Sequence, residues 1–315
     1  SSFVNRTIGA TPATSGPSFT LRWLAPEILQ DTTGHTEASD VYALGMTIYE
    51  TVTGKVPYHG KSDTAVIQAA LVNKEHPERP EVMLNDKTSA DDPWSLLTMC
   101  WSFEPLGRLS VSNVLKAVGT GCLIGNNPPS PCVLKRQLGR IRTISILSRQ
   151  MDAREVISRL VARGCDDLSD SCNHLSFSEH PTLHGGLSDI YQGQLLDGRK
   201  VAVKVLRVSL EGISQGSKHL KRAARELHTW NKCGHPNIMP LLGLAAFRDR
   251  IGMVSLWMKN GSLPRYLKAM PDVNRYHMSV QICQGLSYLH QNQIICCVHL
   301  PGSRILIGYT RFTAT

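Results

Sequence analysis

The chain has 315 residues, of which 42% are hydrophobic and 19% are charged. This composition excludes wholesale disorder, collagen-like repeats and a small disulfide scaffold, and the length predicts roughly two domains. The first residue is Ser1 and not Met, which suggests a processed form or a fragment.

The net charge of +9 is unevenly distributed along the chain. Residues 1–118 carry a net charge of −4, residues 119–179 carry +2 and residues 180–315 carry +11. This contrast indicates two units of different kind. A basic segment can bind nucleic acid or anionic lipid, but the sequence contains no five consecutive Lys or Arg residues. The favoured interpretation is therefore a basic surface around a nucleotide phosphate, with no nucleic acid and no membrane as partner.

The nine cysteines include no Cys-x-x-Cys pair. Their spacing predicts buried free thiols in a reducing compartment, and it favours neither a zinc site nor a disulfide framework. No signal peptide is visible, and the longest apolar run, Met239 to Phe247, is far shorter than a membrane span. We therefore expect a soluble cytoplasmic protein.

Residues 1–120 are predicted to form a helical unit after a loop of about twenty residues rich in Ser, Thr, Gly and Pro. Ser39-Asp40 is predicted as the N-cap of a helix that ends at Gly54. Further helices are predicted at Asp63 to Val72, from Asp92-Pro93 onwards, and from Ser110 to Gly119. No strand pattern occurs in this unit.

Three motifs follow one another in residues 20–118: Ala25-Pro26-Glu27, then Asp40-Val41-Tyr42-Ala43-Leu44-Gly45, then Cys100-Trp101 with Arg108. Together they resemble the later half of a eukaryotic protein kinase catalytic domain of the tyrosine-kinase-like group. The resemblance implies an ion pair between Glu27 and Arg108, since a buried carboxylate needs such a partner. It also implies a peptide-binding platform without the groups that transfer phosphate.

A connector rich in Gly and Pro is predicted at residues 121–150, and a second unit at residues 151–315. Asp152 and Glu155 form a capping-box pattern for a helix that continues through Arg163 and ends at Gly164. We expect this basic helix to pack at the edge of the second unit, because it has too few large apolar residues to bind a membrane firmly.

The pattern changes to strands in the second unit. The runs Ile190 to Leu196 and Lys200 to Leu206 flank Asp197-Gly198, which predicts a tight hairpin. In the second strand, Ala202 and Lys204 are predicted to project to the same face. A small residue there could cover a flat base beside a cation that binds phosphate.

A glycine-containing turn, Gly185-Gly186-Leu187-Ser188-Asp189-Ile190, precedes this hairpin, and such turns can bind phosphate oxygens through backbone N–H groups. With Val201-Ala202-Val203-Lys204, it resembles the early part of a protein kinase, which has a Gly-rich loop and a Val-Ala-Ile-Lys motif. Leu183 and Ser188 replace the first and third glycines of that loop. The resemblance implies an ATP site at Gly185, Gly186, Ser188, Ile190, Ala202 and Lys204.

Later motifs extend the resemblance. A helix from Ser217 to Cys233 would place Glu226 inward, where the family pairs such a Glu with the strand Lys, here Lys204. Residues 235–238 and 241–243 match the elements that follow. Residues 253–258 resemble the strand and hinge that contact adenine, with Ser255 at the pocket-gating position and Leu256 and Met258 as the hinge. A buried helix is predicted at Tyr276 to His290.

The segment from Ile294 to Ile307 departs from the family. Aligned on its apolar residues, it has His299 at the position of the catalytic Asp and Arg304 at the position of the metal-binding Asn. No Asp occurs after Asp272. Because the Asp orients the substrate hydroxyl and the Asn binds Mg²⁺, catalysis is expected to be impaired and Mg²⁺ binding is doubtful, although ATP remains the expected cofactor.

The late part of a kinase thus precedes the early part, and three interpretations stay open. The chain could span two tandem kinase domains, it could be a circular permutant whose parts dock, or it could be a pseudokinase-like module that binds ATP or a partner protein. The expected fold class is α+β and protein-kinase-like: a helical C-lobe part, then a β-rich N-lobe with the start of a second C-lobe. The expected partners are ATP and a protein, and the alternative function is a non-catalytic interaction scaffold.

Overall fold

Helices occupy the early and late parts of the chain, and a single antiparallel sheet lies between them in sequence. The computed structural model describes residues 21–83, 93–119, 153–162, 164–184, 188–206, 227 and 230–295. The helices are α1 (Pro26–Leu29), α2 (Glu37–Thr53), α3 (Asp63–Ile67, continued by a π-helical turn at Gln68–Val72), α4 (Pro93–Cys100), α5 (Val111–Ala117), α6 (Ala153–Val161), α7 (Leu263–Ala269) and α8 (Arg275–Gln291). The strands are β1 (Cys172–Asn173), β2 (Leu183–His184), β3 (Ser188–Leu195), β4 (Lys200–Leu206), β5 (Leu241–Phe247) and β6 (Arg250–Leu256). This mixture confirms an α+β fold.

The long helix α2 begins one turn earlier than the sequence pattern predicted. Thr36 is the N-cap: its side chain accepts from the Ser39 backbone N–H at 3.1 Å, and its own N–H donates to Ser39 Oγ at 2.9 Å. The prediction of Ser39-Asp40 as the cap is therefore wrong, because Ser39 serves as the reciprocal partner in a capping box and Asp40 lies inside the helix. The predicted end is confirmed, since Gly54 adopts a left-handed conformation with φ of 72°.

Helices α3, α4 and α5 start where the sequence predicted, although Asp92, the predicted cap of α4, lies outside the described residues. Ser110 accepts from the Asn113 N–H at 3.3 Å and caps α5 as expected, and Ser62 caps α3 in the same way. Pro93 occupies the start of α4. Within residues 21–83 and 93–119, the structure contains no strand, in agreement with the sequence pattern.

A buried ion pair joins the two ends of the first helical unit. Both Arg108 Nη atoms donate to the two Glu27 carboxylate oxygens at 2.7 Å, and Arg108 also donates to the carbonyl of Ala38 at 3.0 Å. The exposed fractions of the two side chains are 0% and 8%. This bidentate geometry satisfies both charges, and it confirms the pairing that the family resemblance implied.

The sheet has the strand order β1-β3-β4-β6-β5, with β2 also paired to β3. The predicted hairpin is confirmed: β3 and β4 pair in antiparallel register around Asp197 and Gly198, where Gly198 has a positive φ. Alternation along β4 places Val201, Val203 and Val205 in an apolar cluster on one face of the sheet. The opposite face is thereby left for Ala202 and Lys204.

A strap at residues 166–173 runs from one edge of the sheet to the other. The Leu168 N–H donates to the Leu244 carbonyl at 2.6 Å, and the Leu244 N–H donates to the Asp166 carbonyl at 2.8 Å. The strap then pairs with the far edge, where Cys172 lies opposite Leu195. These bonds close the curled sheet on itself.

The helix α6 packs at the edge of the sheet part, as its pattern predicted, and contacts β5 and β6. Gly164, just after it, has φ of 92°, which fits the predicted helix end; Asp152 and Arg163 lie outside the described residues. Among the described residues, none of the helices combines the length and the apolar character that crossing a bilayer requires.

One apolar core contains helices from both ends of the chain. Helices α2 and α5 both contact α8, and the buried residues Leu44, Val114, Cys283 and Leu286 belong to the same cluster. At one end of this interface, the Arg275 Nη1 donates to the Val52 carbonyl at 3.1 Å, where its charge faces the C-terminus of α2. The helices before the sheet and the helix after it therefore dock in this structure.

The buried ion pair leads to a stability prediction. We expect Arg108→Ala to lower the free energy of unfolding by about 3–5 kcal/mol, because it leaves the Glu27 carboxylate buried without its cation. Chemical denaturation measures the change. The control is Asp197→Asn, since Asp197 forms a solvent-exposed pair with Arg199 and its loss should change stability little. Equal effects of the two substitutions would contradict the prediction.

Candidate functional site

One face of the sheet carries three of the residues predicted to bind the nucleotide. Ile190 on β3 lies opposite Lys204 on β4, and on the next strand Ala202 faces Ser255 while Lys204 faces Met253. Because strand neighbours paired in this way point to the same side, these five side chains share one surface. The structure thus brings Ile190, Ala202 and Lys204 together, as the sequence predicted.

Burial distinguishes the members of this surface. Lys204 has an exposed fraction of only 4%, whereas Ile190 and Ala202 are partly exposed, and Ser188 at the start of β3 is buried. A buried ammonium group is stable only beside polar or anionic groups. The arrangement therefore combines a strong positive charge with a small side chain two residues away on the same strand.

The chain leaves the sheet at Leu256 through the predicted hinge. The Trp257 N–H donates to the Lys200 carbonyl at 3.0 Å, and the Gly261 N–H donates to the Met258 carbonyl at 3.1 Å. The side chains of Leu256 and Met258 pack against an apolar group that we name the rear cluster. Its buried members are Ile157, Leu160, Cys165, Leu227, Trp230, Met239, Leu244, Ile251 and Met253. These contacts fix the backbone that the resemblance assigns to adenine.

The His235-Pro236-Asn237 motif connects the sheet part to α8. The Asn237 N–H donates to His235 Nδ1 at 3.1 Å, and the Asn237 side chain donates to Gln284 on α8 at 2.8 Å. Burial lowers the pKa of His235 below its ordinary value, so the ring is neutral near pH 7 and its Nδ1 can accept. The His235 ring also packs against Tyr288, at 5.1 Å between centroids.

A second buried contact between distant parts of the chain was not predicted from the sequence. His290 Nε2, in the last turn of α8, lies 3.0 Å from Asp40 Oδ2 on α2, and both side chains are almost fully buried. The sequence offered one indication of this contact: Asp40 and His290 are each a polar residue within an otherwise apolar helix face. Nothing local indicates that these two residues, 250 positions apart, are partners.

The comparison with known proteins identifies the family. The family model described as protein tyrosine and serine/threonine kinase matches residues 6–118 and 181–302. The chain belongs to the protein kinase family. The match covers helices α1 to α5, α7 and α8 and strands β2 to β6, and it supports the protein-kinase-like fold expected from the motifs.

Relatives of this kinase-family chain include much longer proteins from Arabidopsis thaliana. It is 36% identical over 126 residues to a PR5-like receptor kinase, which covers 38% of this chain and 18% of the relative. It is 30% identical over 136 residues to serine/threonine-protein kinase STY46, which covers 42% of this chain and 23% of the relative. A crystal structure of Rad53 with AMP-PNP overlaps 37% of this chain and 30% of its own, at 22% identity and a TM-score of 0.30. The kinase-family chain thus spans less than a quarter of the length of these two curated relatives.

Several predicted site residues lie outside the described residues of this kinase-family chain. They are Gly185, Gly186, Glu226, His299 and Arg304. Among the residues that the structure does describe, no group of three or more His, Cys, Asp or Glu side chains could hold a metal ion. The described residues that share the sheet face are a basic side chain, Lys204, and two apolar side chains, Ile190 and Ala202.

The described cysteines are free and buried, as the sequence predicted: Cys100, Cys165, Cys172, Cys233 and Cys283. Burial raises the pKa of the Cys100 thiol to about 12 and that of Cys233 to about 11. Because the thiolate is the reactive form, neither of these thiols is a nucleophile at neutral pH. They contribute to the apolar core instead.

The Asp40–His290 contact yields a test of docking. We expect His290→Ala to destabilise the protein by about 1–3 kcal/mol, because it removes a hydrogen bond from a buried carboxylate. Hydrogen exchange measured against denaturant concentration should show one shared midpoint for α2 and α8 peptides, and the substitution should lower both together. His277→Ala, at an exposed position of the same helix, is the control. Separate midpoints for α2 and α8 in the unmodified protein would contradict a shared core.

Proposed function

We propose that this kinase-family chain binds ATP on the sheet face that carries Ile190, Ala202 and Lys204. The buried Lys204 beside Ala202 is the observation that supports the proposal. A flat base needs a small residue above it, and the phosphates need a fixed cation within reach. Within the described residues, Ala202 and Lys204 supply this combination two positions apart on one strand.

Each residue of the face has a distinct role in this proposal. Ile190 and Ala202 cover the base and exclude water from it, while the backbone at Leu256 and Met258 forms hydrogen bonds with its edge. Lys204 holds the phosphates, and Glu226 orients Lys204 as in the related kinases. By the family resemblance, Gly185, Gly186 and Ser188 would contact the phosphates. Bound ATP would supply the phosphoryl group that the family transfers to protein hydroxyls.

Phosphoryl transfer itself is proposed to be impaired. The sequence has His299 and Arg304 where the family has its catalytic Asp and metal-binding Asn. A guanidinium group repels Mg²⁺, and a neutral imidazole is a weaker partner for a hydroxyl proton than a correctly placed carboxylate. His299 and Arg304 do not fit Mg²⁺, because this ion prefers oxygen ligands.

A non-catalytic interaction scaffold is the second candidate. The loss of the Asp and Asn favours it, whereas the buried Lys204 favours nucleotide binding. The helical unit at residues 1–120 corresponds to the part of a kinase that binds peptides, so a protein partner suits either function. Nucleotide titration separates the two, because a scaffold has no need of Lys204.

We also infer that residues 1–120 and 151–315 form one kinase-like body in reversed order, with residues 121–150 as the linker. The shared core of α2, α5 and α8 supports this arrangement, as does the buried Asp40–His290 contact. Of the three interpretations of the reversed order, docking of complementary parts agrees best with these contacts.

Nucleotide binding depends on Lys204 in this proposal. We expect the unmodified protein to bind Mg-ATP weakly. Lys204→Ala should reduce the affinity by at least about tenfold, because it removes a charge-assisted contact. Binding to this variant should then be too weak to detect. Calorimetric titration measures the affinity. Lys200→Ala, at the exposed start of the same strand, serves as the matched control. Equal affinities for the unmodified protein and Lys204→Ala would refute the proposed site.

Impaired catalysis has its own test. With radiolabelled ATP and a general protein substrate, we expect the unmodified chain to transfer no more label than Lys204→Ala, because His299 and Arg304 replace the residues that support transfer. Incorporation that depends on Lys204 would overturn impaired catalysis while leaving ATP binding intact.

A further inference from the structure

The helix α6 packs against strands β5 and β6, although none of its residues belongs to the predicted ATP site. Ile157 and Leu160 are buried in the rear cluster, with exposed fractions of 1% and 4%, while Arg154, Glu155 and Ser158 on the same helix are exposed. A helix with one buried stripe and one charged face is held in place by packing on its apolar side only. In α6, the apolar side packs against the sheet.

The rear cluster reaches the nucleotide face directly. Met253, a fully buried member of this cluster, lies opposite Lys204 in the pairing of β4 and β6. Leu256 and Met258, the predicted hinge, pack against the same cluster. The side chains of Ile157 and Leu160 therefore belong to the cluster that supports β6. This strand pairs with β4 at Lys204 and leads into the hinge.

A second attachment ties α6 to the helical residues Leu227, Trp230 and Asn231. The Asn231 side chain donates to the Gly164 carbonyl, just after α6, at 2.7 Å. Leu227 and Trp230 are members of the rear cluster, and the Trp230 indole N–H donates to the Met239 carbonyl at 2.7 Å. The rear cluster thus joins α6, strands β5 and β6 and this helical segment.

We propose that Ile157 and Leu160 are positioning residues of the nucleotide site, which fix β6 and the hinge at Leu256 and Met258. This inference rests on the proposed function, because it concerns the geometry of that same site. Protein interiors are close-packed, so a cavity at Leu160 lets its neighbours shift. A small displacement of the groups that contact a ligand weakens binding, because binding requires those groups to stay in the right geometry.

The experiment compares two leucine truncations in the full chain. Leu160→Ala opens a cavity in the rear cluster, whereas Leu97→Ala opens one in the helical core at a leucine that is equally buried. Leu160→Met retains apolar volume and should therefore preserve the binding that Leu160→Ala weakens. The affinity for a fluorescent ATP analogue is measured well below the unfolding temperature of each variant, together with amide exchange at residues 256–261.

We expect Leu160→Ala to weaken nucleotide binding by about tenfold and to speed exchange at residues 256–261. Leu97→Ala should do neither, even where its unfolding temperature falls as far, and Leu160→Met should resemble the unmodified protein. Equal effects of the two alanine variants, or no effect of either, would overturn the positioning role.

If the unmodified protein binds no nucleotide, the proposed function fails. Amide exchange then decides the inference, because faster exchange confined to Leu160→Ala upholds it and unchanged exchange refutes it.

Discussion

The buried core shared by α2, α5 and α8 is the constraint on which the rest of this structure depends. Its elements are separated in sequence by the whole sheet, so neither end of the chain can bury its apolar residues fully without the other. The Asp40–His290 hydrogen bond lies within this shared interior. A buried polar pair in such a place favours one alignment of α2 and α8, because its hydrogen bond forms only when Asp40 and His290 meet. The shared core is thus the observation that supports the proposed docking of the two parts.

The sheet face that carries Ile190, Ala202 and Lys204 lies opposite a face whose side chains are already buried. Val201, Val203 and Val205 are buried in one cluster, and this fixes the direction of Ala202 and Lys204 by alternation alone. The rear cluster packs against β6 on the same face as Lys204, through Met253. The proposed ATP-binding surface does not depend on the catalytic positions, because the residues that shape it also stabilise the sheet.

Local patterns in the sequence predicted local structure well. The end of α2 at Gly54 and the hairpin at Asp197-Gly198 both follow from backbone preferences that a few neighbouring residues express. The start of α2 was misplaced because Thr36 and Ser39 are both good caps, and only the reciprocal hydrogen bonds decide between them. The Asp40–His290 contact could not be predicted, since helical periodicity indicates which residues are buried but not which distant residue they meet. The pairing of Glu27 with Arg108 was accessible only through resemblance to a family.

The strap at residues 166–173 has a consequence for contacts between molecules. An uncovered edge strand offers its free N–H and C=O groups to strands of other chains and invites aggregation. In this protein, the backbone of Leu244 on the edge strand β5 is already engaged by Asp166 and Leu168, and the opposite edge ends in the two-residue strand β1. Closure of the sheet therefore also limits strand pairing between molecules. Such pairing would compete with folding in a chain whose core is complete only after distant segments have come together.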